Sequence, residues 1–97
     1  MNSATTNEKK EKAKVFETVL SSPGMVEKCK VVLQVSRQNI LLLARLIEKG
    51  VLTEGQQLDD EILNALRGES QSDFKLIHEE ILKKGNLVDF YERLKFL

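Results

Sequence analysis

Apolar residues recur along the chain at intervals of three and four, which is the spacing of an amphipathic α-helix. The clearest run lies over residues 23–49, where Ser22 can cap the helix and Pro23 suits its first turn. The pattern predicts one helix of about 27 residues, roughly 40 Å long. A compact domain of this chain length has a radius of gyration of about 13 Å. We therefore expect this helix to be the central element of the fold or to project toward a second chain.

Shorter segments with the same periodicity lie on both sides of this helix. They cover residues 8–21, 58–67, 70–84 and 86–97, with Asn86 as a candidate cap of the last one. No Asn-Gly or Asp-Gly pair and no sustained alternation of apolar and polar residues indicates a strand. The sequence predicts an all-α fold, a small bundle of four to five helices around one long central helix. We expect residues 1–7 to be a disordered tail and residues 8–97 to form a single helical domain.

A heptad pattern marks one face of the predicted long helix. Its a and d positions are Val26, Cys29, Leu33, Ser36, Ile40, Leu43 and Ile47, with the serine as the one polar break. Mostly β-branched residues at the a positions favour a two-stranded arrangement. We call these seven residues the seam and expect them to mediate self-association.

A second apolar strip runs beside the seam and contains Val31, Val35, Leu42 and Leu46. A helix that is apolar over more than half of its circumference needs neighbours on two sides. The chain's own short helices can cover one side, and a second copy or another helical protein can cover the other. We expect a homo-oligomer, with a dimer favoured, and the alternative is a monomer whose short helices wrap the long one completely.

The polar face of the same helix carries Lys30, Gln34, Arg37, Gln38 and Arg45. Side chains of these types can contact phosphates and base edges. Against nucleic-acid binding, fifteen basic residues balance fifteen acidic residues, whereas nucleic-acid-binding domains are usually basic. A small DNA- or RNA-binding regulator is therefore the alternative function, not the first one.

Candidate catalytic and metal-binding residues are few. Cys29 occupies a d position of the seam, where a small buried hydrophobe is expected. His78 is the only histidine, and its segment lacks the second histidine of a zinc-binding H-E-x-x-H motif. Asp59, Asp60 and Glu61 open the predicted helix of residues 58–67, where negative charge complements the helix dipole and we expect a capping role. We expect no catalytic residues, no metal, no cofactor and no small-molecule substrate.

The longest uninterrupted apolar run is residues 40–44, far short of the about 20 residues that span a bilayer. The polar N-terminus also lacks the apolar core of a signal peptide. We expect a cytoplasmic protein without membrane contact. The sequence thus predicts a non-enzymatic helical protein–protein interaction module that self-associates through its long helix.

Overall fold

The computed structural model of the chain describes residues 3–53 and 59–97, with the backbone alone for residues 3–10. Five helices and no strand occur within these ranges. The helices are α1 (Ser3–Leu20), α2 (Arg37–Gly50), α3 (Glu61–Arg67), α4 (Gln71–Lys84) and α5 (Val88–Lys95). The prediction of a small all-α fold is confirmed. Within the described residues, no helix combines the length and the hydropathy needed to cross a bilayer.

The chain divides into two compact units. The described part of the first is residues 3–31 and 59–68, and that of the second is residues 32–53 and 69–97. In the first unit α1 packs against α3, and in the second α4 packs against both α2 and α5. We call the second one the α2–α4–α5 unit. A single domain over residues 8–97 stays a prediction.

The first helix begins earlier than the sequence indicates. α1 starts at Ser3 and not at Glu8, so residues 3–7 of the predicted disordered tail are helical. The serine and threonine residues of this stretch carry no apolar stripe, which is why periodicity alone did not extend the helix to them. Residues 1 and 2 lie outside the described part of the chain.

The long central helix over residues 23–49 is wrong, because α2 begins only at Arg37. Ser36 has extended backbone angles, and its side-chain oxygen accepts a hydrogen bond from the Asn39 backbone N–H at 3.1 Å. This is an N-cap, which starts a helix rather than continuing one. Residues 21–26 form turns, with Gly24 at a φ of 89°, and residues 27–36 form neither helix, turn nor bend.

Low helix propensity and the absence of packing explain this difference. Three of the five residues from Val31 to Val35 are valines, whose branched side chains lose rotamer freedom in a helix. Every residue from 21 to 39 is exposed. Since helices in proteins are stabilised mainly by packing of an apolar face, a heptad pattern without a neighbour does not make this segment helical.

The core of the α2–α4–α5 unit is small. Its buried residues are Ala44 of α2, Leu82 of α4, Leu87 before α5 and Tyr91 of α5. Ile40, Leu41 and Ile81 pack against this cluster and are partly buried. The core therefore lies where the middle of α2 meets the end of α4 and the start of α5.

The end of α4 determines how α5 enters this core. Asn86 has a φ of 57°, the Leu87 N–H donates to the Leu82 carbonyl at 2.8 Å, and the Asn86 N–H donates to the Lys83 carbonyl at 3.0 Å. This pair of hydrogen bonds is a Schellman motif, with the left-handed residue just past the helix end. Asn86 thus ends α4 and does not cap α5, whose N-cap is Leu87. The apolar contact of the motif joins Leu82 to Leu87, both of which are buried.

Candidate interaction surface

The two faces of α2 differ in burial but not in polarity. Ala44 is fully buried, and Ile40 and Leu41 pack beside it on the face toward the core. On the opposite face Leu42 is 57% exposed and Leu46 is 59% exposed. Leu43 lies at the edge of this face and is 39% exposed. We call Leu42, Leu43 and Leu46 the outer face of α2, and within the described residues nothing covers it.

The structure does not bring the seven seam residues onto one helix face. Val26, Cys29 and Leu33 precede the helix, Ser36 is its N-cap, and Ile40, Leu43 and Ile47 lie within it. Ile40 turns toward the core, Ile47 is half-buried, and Leu43 remains exposed. A continuous seam is therefore absent, since a heptad needs an unbroken helix. The exposed apolar surface of α2 instead contains Leu42 and Leu46, which belong to the second apolar strip of the sequence analysis.

The five residues of the predicted basic face are likewise separated. Lys30 and Gln34 precede the helix, whereas Arg37, Gln38 and Arg45 lie in α2. The Arg37 guanidinium donates hydrogen bonds to the carbonyl oxygens of Gly85 at 3.0 Å and Asn86 at 3.3 Å. Arg45 pairs with Glu48 at 3.2 Å. Two of the three cations are thus engaged within the chain, and nucleic-acid binding stays a prediction.

Tyr91 is the centre of a polar cluster between α2 and α5. Its ring is 1% exposed, and its hydroxyl donates a hydrogen bond to the Glu48 carboxylate. The same carboxylate accepts from Lys95 at 3.3 Å and pairs with Arg45. The Lys95 ammonium also lies 5.2 Å from the centre of the Tyr91 ring, within the range of a cation–π interaction. The Glu48 carboxylate of α2 thus holds α5 through Tyr91 and Lys95, and Arg45 of α2 is its third donor.

These contacts shift two pKa values in opposite directions. Burial raises the pKa of the Tyr91 hydroxyl, and its hydrogen bond to Glu48 raises it further. Burial also acts to raise the pKa of Glu48, but the hydrogen bonds from Tyr91 and Lys95 and the nearby positive charges outweigh it and hold that pKa below its ordinary value. Glu48 is therefore an ionised acceptor at neutral pH, which suits a structural role better than proton transfer.

The other candidate residues occupy ordinary structural positions. His78 packs its ring edge-on against Tyr91, with ring centres 5.6 Å apart, and its Nε2 is buried without a hydrogen-bond partner. Asp60 caps α3, accepting a hydrogen bond from the Leu63 N–H at 2.9 Å, so its predicted capping role is confirmed. Cys29 is an exposed free thiol rather than a buried hydrophobe, because the helix predicted around it does not form. Within residues 3–53 and 59–97, no group of three His, Cys, Asp or Glu side chains could hold a metal ion.

Sequence reasoning did not identify the Tyr91 cluster. Glu48 and Tyr91 lie 43 positions apart, and no local pattern relates them. Only the spacing of Tyr91 and Lys95, one helical turn apart, was visible in the sequence. The burial of Tyr91 depends on which helices pack together, and this is a property of the tertiary structure.

No protein-family model, curated protein sequence or solved structure matches the chain significantly.

Proposed function

We propose that this chain is a non-enzymatic helical protein–protein interaction module that associates with a second copy of itself. The observation that carries the proposal is the outer face of α2. Three leucines on one side of a helix present apolar surface to solvent, on the helix that also supplies the buried Ala44. Contiguous exposed apolar surface of this kind is typical of interaction sites, whereas single exposed apolar residues are ordinary.

A second copy is the occupant that fits this face best. The chain has a formal net charge of zero, so two copies do not repel each other through their overall charge. An isologous dimer would pack the outer faces of two α2 helices together, leucine against leucine, with the same residues contributed by each copy. Gln38 and Lys49 border the face and would form a polar rim, as the edges of protein interfaces commonly do.

Substitution on the outer face tests the proposal. Leu46→Glu puts a charge on this face at a position exposed enough to leave the core of the unit intact. Leu76→Glu is the matched control, since Leu76 is 66% exposed on α4 and has no leucine one helical turn away on that helix. We expect light scattering to give about twice the chain mass of 11.0 kDa for the parent and the control, and one chain mass for Leu46→Glu. Equal masses for the two variants would overturn the proposal.

A further inference from the structure

The segment before α2 shows a short, incomplete alternation of apolar and polar residues, which is broken at Val32. From Cys29 to Val35 the odd-numbered positions are all apolar, whereas two of the three even-numbered positions are Lys30 and Gln34. Alternation with a period of two places the odd positions on one side of an extended chain. Valine, which favours strands, occupies three of the seven positions. We call residues 29–35 the strand segment; the division between the two units falls within it, after Val31.

The backbone of the strand segment is unpaired. Within the described part of the chain, residues 29–35 make no backbone hydrogen bond with any other residue. Their side chains are exposed as well, with Val31 at 69%, Val32 at 76% and Leu33 at 71%. A row of free N–H and C=O groups flanked by apolar side chains is a template for pairing with another strand.

We propose that the strand segment pairs antiparallel with the same segment of a second copy, with Leu33 at the centre of the pair. In this register Leu33 faces its own copy and Val31 faces Val35, so the apolar sides of the two segments coincide. Lys30 faces Ser36 and not another lysine, which avoids directly opposed like charges. Antiparallel pairing about one residue is two-fold symmetric, which is the symmetry of most homodimers.

Extension of α2 through the same residues is the less favourable arrangement. It would break the hydrogen bond by which Ser36 caps Asn39, and it would place three valines in a helix. Strand pairing keeps this cap, since Ser36 already has extended backbone angles. The segment can therefore form a strand up to the first residue of α2 without changing the helix.

This inference rests on the proposed function. An isolated two-stranded ribbon is only marginally stable in water. In this register the two α2 helices begin at opposite ends of the strand pair, and their outer faces supply the additional apolar contact where both helices turn back across it. The strand pair would fix the register and symmetry of the dimer that these faces stabilise.

Disulfide cross-linking tests the register. In a Cys29→Ser background that removes the natural thiol, Leu33→Cys would place two thiols directly opposite each other, within disulfide range. Val32→Cys is the matched control, because it faces Gln34 of the second copy and the two Cα atoms of residue 32 would lie about 8 Å apart, beyond disulfide range. Both positions are similarly exposed, so the reactivity of the two thiols is comparable.

We expect mild oxidation to convert most of the Leu33→Cys chain to a covalent dimer, at least about five times the yield of Val32→Cys, with the difference abolished in urea. If the two cysteine variants give equal yields while the parent chain is dimeric and Leu46→Glu makes it monomeric, the strand pairing is overturned and the proposed function stands. A parent chain that is monomeric at all concentrations, with no cross-linking at either position, would overturn both.

Discussion

Removal of the Tyr91 hydroxyl tests how α5 is held on α2. Tyr91→Phe keeps the buried ring and its contacts with Leu82 and Leu87, and it removes the hydroxyl, which donates a hydrogen bond to Glu48 and also interacts with Arg45. A hydrogen bond to a charged group contributes about 1.5–3 kcal/mol. The Glu48 side chain is 28% exposed and keeps its contacts with Arg45 and Lys95, so solvent and the remaining donors reduce the loss. We expect a decrease of about 1–1.5 kcal/mol in the free energy of unfolding.

Urea unfolding followed by far-ultraviolet circular dichroism measures this change, because the helices supply the signal whether or not the tyrosine is present. For a chain of this size, 1 kcal/mol lowers Tm by about 4–8 °C. A double-mutant cycle with Glu48→Ala assigns the loss to the hydrogen bond: Tyr91→Phe should cost little once the carboxylate is absent. An equal cost in both backgrounds would show that the hydroxyl acts through something other than Glu48, and the account of this cluster would be wrong.

Two further predictions concern the same unit. Asn86 has a φ of 57°, and only glycine adopts this left-handed region without a Cβ penalty. In urea unfolding, Asn86→Gly should therefore be more stable than Asn86→Ala by about 1–2 kcal/mol. Equal stabilities would contradict the Schellman ending of α4. The pKa of Glu48 is lower in the folded chain than its unfolded-state value of about 4.5, so the ionised carboxylate stabilises the fold at pH values above about 4.5. This stabilisation should be lost as the pH falls through the folded-state pKa of Glu48. The pKa of Tyr91 is higher in the folded chain than its unfolded-state value of about 10, so the neutral hydroxyl stabilises the fold at pH values below about 10. This stabilisation should be lost as the pH rises through the folded-state pKa of Tyr91. The free energy of unfolding of the parent should decrease at both the acid and the alkaline end of the pH range, whereas Glu48→Ala should lack the decrease at acid pH.

The sequence predicted those parts of the fold in which local pattern and tertiary packing agree. The second half of the predicted long helix is helical and forms α2. α4 ends at Lys84, just before Gly85, as its apolar spacing and that glycine predict. The prediction of a helix over residues 23–36 is wrong because low helix propensity and the absence of packing outweigh the heptad spacing there. Period and propensity disagree there: the spacing of three and four favours helix, whereas the valines and the alternation from Cys29 favour strand.

The candidate surface was predictable only in part. The apolar residues of α2 were identified, but their division between core and solvent depends on which side packs on α4 and α5. That choice turns Ile40 inward and leaves Leu46 outward, although both are equally apolar in the sequence. The contact of Glu48 with Tyr91 joins two helices far apart in the chain, and no single-segment pattern could indicate it.

The proposed association of two copies uses apolar surface that the chain's own helices leave exposed. The most direct test is the solution mass of the intact chain, measured by light scattering on a sizing column over a tenfold range of concentration. We expect about twice the chain mass of 11.0 kDa at the higher concentrations, with dissociation on dilution if the affinity lies within the range sampled. One chain mass throughout the range would contradict it.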